Sequence, residues 1–373
     1  MKSLILRTAL TLLFTSSFAI GISAQTEEAQ ENTRAIEFPD IPGYMTLKCD
    51  LHMHTVFSDG NVWPSIRVQE ALRDGLDVIS ITDHIEYQPH QEDIPHPERN
   101  RSYELALEAA EGTDLLVIPG TEITRFMPPG HFNAIFVKDV NALNQKDVME
   151  VFREAKRQGA FVFWNHPHWT AQRPDGVATL TEMHQELLKE GLFAGIEAYN
   201  DNTYSKEAVE LAEKYNLTLL GNSDVHGLVD WSYQIPEGGH RPVTLVFARE
   251  KSAEAMQQAL ENQQSAIWFK NTLVGNPEFL ALMIEESLEL TRKGKDPVPR
   301  VVIHNHSDAD YVLENISEYT LHNFAPVFTL KAHESTTVMV KILESLDSFE
   351  LKFRVLNAFS KANEHPEINL PVK

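Results

Sequence analysis

The chain has little positive charge and almost no cysteine. Its 373 residues include 32 Lys and Arg against 54 Asp and Glu, a formal net charge of −22 at pH 7. Because so acidic a chain repels polyanions at long range, we expect no nucleic-acid partner, and a general nuclease is disfavoured. The single cysteine, Cys49, excludes an intramolecular disulfide. It lies in an apolar strand pattern, which predicts a small buried side chain.

Long apolar runs are absent after the N-terminal segment, so we expect no membrane anchor. Residues 1–24 begin with Lys2 and Arg7 and continue through a mostly apolar run to small residues around Ala24. This order is typical of a secretory signal peptide, and the run is shorter than the roughly 20 residues of a membrane span. The sequence therefore predicts an exported protein, periplasmic or secreted, with a polar lead-in over residues 25–45.

No glycine-rich phosphate loop follows any predicted strand, which disfavours a nucleotide-binding doubly wound fold. From Thr46 strands and helices alternate, as expected for parallel strands with helical crossovers in a barrel or a doubly wound sheet. Both folds place active sites at the carboxyl ends of strands. The seven predicted strands are Thr46–His52, Asp77–Thr82, Leu115–Ile118, Phe132–Val137, Ala160–Trp164, Gly195–Tyr199 and Leu217–Leu220.

The sequence pattern changes after residue 275. Residues 46–275 form the first predicted domain. In residues 276–373, one helix is predicted over Phe279–Thr291, and short alternating apolar runs separated by polar turns follow it. Such runs predict a small antiparallel β-sandwich as the second domain.

Potential metal ligands gather where the predicted strands end. His52 and His54 are two residues apart and would point to one side of a strand, and Asp59 follows just before Gly60. A lone His-x-His is weak evidence, but most histidines between residues 50 and 230 recur at such ends. This clustering predicts a multinuclear metal site. The further ionisable residues at strand ends are Asp83, His84, Glu122, His131, His166, His168, Glu197, Asp224 and His226.

These motifs, in this order, resemble those of the PHP (polymerase and histidinol phosphatase) family of metallophosphoesterases. The resemblance covers about Thr46 to Lys270 and implies a distorted (β/α)7 barrel, a TIM-like fold, with two or three divalent ions. Zn, Mn or Fe would suit such ligands. Position by position, it implies one ion on His52, His54, Glu122 and Asp224, a second on Glu122, His131 and His166, and a third on Asp59, His84 and His226.

The resemblance also implies a reaction. We expect a metal-bridging hydroxide to attack phosphorus in line, with Asp224 as a ligand that also orients the hydroxide. The exported, sandwich-tailed layout is most similar to the phosphodiesterase-like branch, so small organic phosphodiesters are the expected substrates. A phosphomonoesterase is the alternative. Biosynthetic histidinol phosphatase is disfavoured, because export would remove the enzyme from that pathway.

Several polar residues have two interpretations each. His168 either donates to the substrate or is a loop histidine stacked on tryptophan. Arg125 either binds a phosphoryl oxygen or is a surface arginine. Arg241 either binds a phosphoryl oxygen or belongs to a buried ion pair. Glu197, with Asn200 and Asn222, is expected to hydrogen-bond to the ligands rather than bind metal.

Two rival functions remain open at this point. A non-catalytic binding protein would hold metals structurally and use its sandwich for recognition, although the complete ligand set weighs against it. An amide or lactone hydrolase on a related barrel would carry a carbamylated lysine at a strand end, and no lysine lies there. The sequence leaves the oligomeric state undetermined.

Overall fold

A computed structural model describes residues 34–294, 297–322, 324–342 and 346–373. The predicted signal peptide, residues 1–24, and the lead-in up to residue 33 lie outside this part of the chain. Within the described part, no helix has the length and apolar character needed to cross a membrane. Cys49 is fully buried, as predicted.

The first domain is a strongly curled sheet surrounded by helices. Its strands are β1 (Met45–Asp50), β2 (Val78–Ile81), β3 (Leu116–Ile123), β4 (Phe132–Ile135), β5 (Phe161–Trp164), β6 (Gly195–Asn200), β7 (Thr203–Tyr204), β8 (Thr218–Asn222), β9 (Val243–Ala248), β10 (Ser265–Phe269) and β11 (Thr272–Gly275). Its helices are α1 (Pro64–Arg73), α2 (Arg101–Ala109), α3 (Val148–Gln158), α4 (Glu182–Glu190), α5 (Lys206–Tyr215), α6 (Val229–Ser232) and α7 (Ala253–Glu261). The predicted barrel with seven central strands is confirmed.

The strand directions explain why one predicted ligand precedes its strand. β1, β2 and β3 are mutually parallel, and β5, β6 and β8 form a second parallel group. β4 is antiparallel to both of its neighbours, β3 and β5. The beginning of β4 therefore lies beside the carboxyl ends of the other strands, and His131, one residue before β4, reaches the same end of the barrel.

Single hydrogen bonds outside the regular strand ladders link β8 to its neighbours and close the barrel. Among the described strands, β8 has a ladder only with β6. The hydroxyl of Thr244 on β9 accepts from the amide of Gly221 and donates to its carbonyl, both at 2.9 Å. Beyond the strand ends, Met53 forms a parallel bridge with Val225. This bridge joins the segments that carry His52, His54 and Asp224.

The second domain is a β-sandwich, as predicted. Helix α8 (Pro277–Glu286) leads into two four-stranded sheets, and buried residues alternate with exposed ones along several strands. One sheet contains β12 (Leu288–Lys293), β13 (Arg300–Asn305), β15 (Thr320–His322) and β17 (Ser335–Lys341). The other contains β14 (Tyr311–Asn315), β16 (Val327–Leu330), β18 (Phe349–Val355) and β20 (Glu367–Val372).

The predicted helix Phe279–Thr291 was too long. The helix ends at Glu286, and Leu288–Lys293 is β12 instead. The reason is tertiary pairing: β12 forms a six-residue antiparallel ladder with β13. Such pairing readily overrides local helix propensity.

The two domains share a sheet. A short strand of the second domain, β19 (Ala358–Phe359), pairs in parallel with β11 at the edge of the barrel sheet. Asn357 strengthens this junction, because its side-chain amide donates to the carbonyls of Asn271 and Asp310, both at 2.8 Å. The sandwich therefore covers a sheet edge that would otherwise be open.

The barrel closure predicts the effect of a small substitution. A Cβ at Gly221 on β8 would lie 2.2 Å from Cγ2 of Ile267 on β10. We expect Gly221→Ala to destabilise the protein by roughly 1–3 kcal/mol through overpacking, measured by urea unfolding. Adding Ile267→Ala should recover part of that loss. Additive losses in the double variant would show that the two strands are not in tight contact.

Candidate metal centre

The structure brings all nine predicted ligands together at the carboxyl end of the barrel. His52 and His54 follow β1, whose regular ladder ends at Asp50, and they are fully buried. Asp224 follows β8 and is attached to β1, because its amide donates to the carbonyl of His52 at 2.8 Å. Glu122 lies within β3 and is fully buried at the centre of the group.

Four ligand atoms converge in the first group. The Nε2 atoms of His52 and His54 are 3.2 Å apart. Oε2 of Glu122 lies 3.5 and 3.3 Å from them, and Oδ1 of Asp224 lies 3.2 and 3.0 Å from them. Ligands about 2.0–2.1 Å from a tetrahedral ion are about 3.3–3.4 Å apart, and these five distances lie near that spacing. His52, His54 and Glu122 can meet at one ion, and Asp224 can meet one together with His52 and His166.

The second group uses the other oxygens of the same two carboxylates. Oε1 of Glu122 lies 2.8 Å from Nδ1 of His131 and 3.6 Å from Nε2 of His166. Oδ2 of Asp224 lies 4.0 Å from Nε2 of His166. Glu122 and Asp224 therefore face two groups at once, which is the arrangement of bridging carboxylates.

The third group is centred on Asp59. Its Oδ1 lies 3.4 Å from Nε2 of His84 and 3.2 Å from Nε2 of His226. The ring of His54 stacks on His226 with centroids 4.3 Å apart, and its Nδ1 lies 3.7 Å from Asp59. His54 is thus shared by the first and third groups, and Nδ1 of His84 lies 2.9 Å from Oε2 of Glu122.

The surroundings of the carboxylate oxygens show that these residues fit cations. Among the described residues, both oxygens of Glu122 and Oδ1 of Asp59 are met only by imidazole nitrogens. Buried charges are normally paired or coordinate metals. A mixed set of imidazoles and carboxylates suits divalent transition-metal ions.

The neighbouring carboxylates shift the pKa values of the imidazoles in the third group. Burial lowers the pKa of His84, but the negative charges of Glu122 and Asp59 outweigh it and raise that pKa to about 10. For His226, burial again lowers the pKa, while Asp59 and Asp224 raise it above its usual value. An ion and a proton compete for the same nitrogens, so metal binding by these residues would release protons.

Glu197 supports the ligands, as expected, and is not placed as one. One of its oxygens lies 2.9 Å from Nδ1 of His52, which turns Nε2 toward the ligand group. The other accepts the backbone amide of His166 at 2.9 Å. The side-chain amides of Asn200 and Asn222 donate to the same carboxylate at 2.8 and 2.9 Å. Glu197 therefore fixes ligands from two strands.

Sequence reasoning assigned no role to two supporting residues. Asp83 accepts from the amide of Thr55 at 2.7 Å and from the hydroxyl of Ser58 at 2.6 Å, and so shapes the loop that carries Asp59. Its place between Thr82 and His84 was a usable signal. Arg67 on α1 is buried and donates to the carbonyls of His54 at 2.9 Å and Val225 at 2.8 Å. Nothing in the sequence distinguishes it from a surface arginine.

The two arginines predicted to bind substrate lie elsewhere. Arg241 is fully buried and pairs with Asp50 at 3.1 Å and Asp74 at 2.6 Å, so its guanidinium cannot reach a substrate. The alternative interpretation, a buried ion pair, is the one the structure shows. Arg125 is partly buried and pairs with Glu86 at 2.8 Å, outside the residues that line the cavity above the ligands.

His168 does face that cavity. The cavity has a volume of about 490 Å³ and opens onto the ligand groups. Both ring nitrogens of His168 are buried and lack a hydrogen-bond partner. Burial and the nearby charge of His166 lower the pKa of His168. A neutral imidazole in this place can donate one N–H hydrogen bond into the cavity.

The support from Glu197 predicts a change in metal affinity. Glu197→Gln should weaken metal binding by about 10- to 100-fold, because His52 and His166 lose their charged anchor. Competition with a chromophoric chelator would measure the affinity. Glu190→Gln is the matched control, since Glu190 pairs with Arg153 on the outer surface. Equal affinities in both variants would contradict the supporting role.

The buried ion pairs predict a change in stability. Arg241→Met should destabilise the protein by roughly 3–5 kcal/mol, because Asp50 would remain buried without its cationic partner. Arg153→Met, at an exposed pair, should change the free energy of unfolding by about 0–1 kcal/mol. Urea unfolding measures both. A loss for Arg241→Met no larger than for the control would show that water reaches Asp50.

Comparison with known proteins agrees with this geometry. A PHP domain family matches residues 50–267, and an Ig-like domain family matches residues 285–371. A two-domain protein from Bacteroides vulgatus, described as containing a predicted PHP-like metal-dependent phosphoesterase, is 41% identical over 90% of this chain and 98% of its own, with a TM-score of 0.84. No curated protein matches the sequence.

More distant structures are also similar. A protein from Bifidobacterium adolescentis is 18% identical over 52% of this chain and 90% of its own, with a TM-score of 0.39. PsfC from Pseudomonas syringae is 17% identical over 60% of this chain and 92% of its own, with a TM-score of 0.41. The family match, which covers more than half of the residues, and the 41% identical relative are decisive: this chain belongs to the PHP family.

Proposed function

We propose that the protein is a metal-dependent phosphoesterase that hydrolyses small organic phosphodiesters. The observation that carries this proposal is the sharing of Glu122 and Asp224 between two ligand groups. Divalent ions held there would provide a hydroxide at neutral pH and neutralise the phosphoryl oxygens. A substrate phosphate would lie over the two groups, at the floor of the cavity.

Asp224 is the residue we assign to orienting the attacking water. Its backbone is left-handed, with φ of +51°, a conformation that aspartate tolerates better than most residues. The bond from its amide to His52 holds this conformation. Its carboxylate thereby stays between His54 and His166, where one oxygen accepts a hydrogen bond from water.

We assign His168 to the leaving group, on the side of the phosphate opposite the attacking water. His168 lines the cavity beside His166 and Trp169, and both of its ring nitrogens lack a hydrogen-bond partner. Because its pKa is lowered, the ring is neutral at pH 7 and acts through one N–H. We place that N–H against the oxygen of the leaving group, where it would stabilise the negative charge that develops as the P–O bond breaks.

The cavity favours a diester over a monoester by charge. A phosphomonoester carries between one and a half and two negative charges at pH 7, roughly, and a diester carries one. Among the described residues that line the cavity, none is a lysine or arginine, and Arg125 and Arg241 are both paired elsewhere. The described lining therefore supplies no lysine or arginine to balance the second charge.

Export is a separate part of the proposal. It rests on the composition of residues 1–24, with two basic residues, an apolar run and a small-residue end. Fractionation of cells that produce the full chain would test it. A product shortened by about the length of that segment, in the periplasm or medium, would support export, and a full-length cytoplasmic product would contradict it.

A comparison of two chromogenic esters tests the activity. With Zn, Mn or Fe added in turn, bis(p-nitrophenyl) phosphate should be hydrolysed with a higher kcat/KM than p-nitrophenyl phosphate. Asp224→Asn should lower kcat by about 100-fold or more. His168→Asn should lower it by about tenfold or more. Asp175→Asn, at an exposed acid outside the cavity, is the control and should leave the rate unchanged.

Three results would contradict the proposal. Faster hydrolysis of the monoester would identify a phosphatase. Near-normal turnover by Asp224→Asn would remove this residue from its assigned role. A protein that binds the metals and hydrolyses neither ester would instead favour the non-catalytic binding function.

A further inference from the structure

The part of the cavity beyond the ligands has a distinct chemistry. The residues that line it there are Trp169, Thr170, Asn200, Asp201, Thr203 and Ser232. Within the protein, the hydroxyl of Thr203 donates to the carbonyl of Asn200, and the amide of Asn200 donates to Glu197. The described wall has no cationic side chain. Acceptor groups that surround one flat aromatic ring suit a neutral molecule with many hydroxyls, since each hydroxyl can donate to an oxygen of the wall.

Asp201 is held in a fixed position within this wall. It follows β6 with φ of +48°, and its amide donates to the carbonyl of Asn222 at 3.2 Å. Its Oδ1 lies 3.3 Å from the hydroxyl of Tyr233 and 3.0 Å from the amide of Asn202. Both protein contacts use Oδ1, so Oδ2 remains available to a ligand.

Tyr233 connects Asp201 to the metal ligands. Its buried hydroxyl also lies 2.6 Å from the carbonyl of Ser223, the residue before Asp224. The single proton of this hydroxyl goes to Ser223 at the shorter distance, so Tyr233 lies beside Asp201, and the backbone bond to Asn222 is what positions Asp201. A ligand bound by Asp201 would have a defined position relative to a phosphate over the metals.

Trp169 supplies the flat surface of the same wall. Its ring packs beside His131 and His166, with centroids 5.6 and 5.2 Å away. The residue nevertheless remains 45% exposed. The carbon-bound hydrogens of a sugar ring form an apolar face that can lie on such an indole, while its hydroxyls point outward to polar groups.

Exposed aromatic residues extend this surface around the mouth. In the described chain, six Phe, Tyr or Trp residues are exposed, and all lie in segments that follow the carboxyl ends of barrel strands. The other five are Trp63, Tyr87, Phe126, Tyr204 and Trp231, and Trp231 is 79% exposed. A set confined to the mouth marks a binding surface rather than random exposure.

The charge of the barrel mouth distinguishes between a carbohydrate and a membrane as its occupant. Aromatic rims also dock on membranes, but such surfaces usually add lysine or arginine for anionic lipids. Here the mouth loops expose acids such as Glu92, Asp93, Asp175 and Glu237. The arginines of the same loops, at positions 99, 125, 173 and 241, are buried or half-buried. Two cations at this end are exposed: Arg101 pairs with Glu104, and Lys270 lies over the ring of Phe269. An uncharged carbohydrate matches this face better than a lipid surface does.

We propose that the substrate is the phosphodiester of a carbohydrate, with a sugar ring stacked on Trp169 and its hydroxyls bound by Asp201. This inference rests on the proposed function, because the phosphate must sit over the metal ligands for the ring to reach both residues. The remaining mouth aromatics would contact further sugar units of a longer substrate.

Matched diesters test the inference. The metal-loaded full chain would be given glucose 6-(methyl phosphate) and cyclohexylmethyl methyl phosphate, which has a ring of similar size without hydroxyls. Methyl p-nitrophenyl phosphate reports the chemistry that is independent of the sugar. Hydrolysis of each is followed by ³¹P NMR. We expect the sugar diester to have a kcat/KM at least about tenfold above that of the cyclohexyl diester.

Variants then assign the preference to residues. Asp201→Ala and Trp169→Leu should each reduce the ratio between the sugar and cyclohexyl diesters by about tenfold, because one hydrogen-bond acceptor or one flat face is lost. Asp175→Ala, an exposed acid of the same face outside the cavity, should keep the ratio. A ratio near one in the original protein, or a ratio that survives both variants, would overturn the inference.

Three other outcomes are distinguishable. Hydrolysis of the aryl diester without a sugar preference would leave the proposed function standing and remove the carbohydrate. If no diester is hydrolysed while metal is bound, the proposed function fails and the inference fails with it. Co-sedimentation with phosphatidylcholine vesicles that depends on Trp231 would identify a membrane as the occupant and would also overturn the inference.

Discussion

The rest of the structure depends on how the charge of three clustered carboxylates, one buried and two half-buried, is compensated. Asp59, Glu122 and Asp224 meet at one end of the barrel, and five of their contacts with imidazole nitrogens are 3.0–3.4 Å long. Among the described residues, both oxygens of Glu122 are met only by imidazole nitrogens. Divalent cations would satisfy these oxygens, and the strand ends are arranged so that each oxygen faces a different set of nitrogens. The positions of the strand ends therefore determine how the negative charge of the site is balanced.

The barrel behind the site is adapted to hold those positions. The segments after β1 and β8 are joined by the Met53–Val225 bridge, and Arg67 donates to carbonyls on both. Arg241 attaches β1, through Asp50, to the residue that ends α1, Asp74. Asp50 also accepts the amide of Ser223, next to Asp224. Buried arginines thus fix the loops that carry the ligands, which is why an arginine that resembled a substrate contact has a structural role.

Much of the fold and the ligand set could be predicted from the sequence, because strand ends recur at regular spacing and ligand chemistry uses few residue types. The seven central strands, the sandwich and the convergence of His52, His54, Glu122 and Asp224 were all predicted. The start of β12 was not, since a ladder with a distant strand decides it. The environment of Arg241 was also undetermined, because the sequence does not show that Asp50 and Asp74 lie beside it.

The measurement that tests the central claim most directly is anomalous scattering from crystals of the metal-loaded protein, collected at the absorption edge of the added metal. The account predicts two peaks about 3.5–4 Å apart on either side of Glu122 and Asp224. A third peak is expected between Asp59, His84 and His226. Peaks confined to surface histidines, with Glu122 bonded only to protein groups or water, would contradict the account.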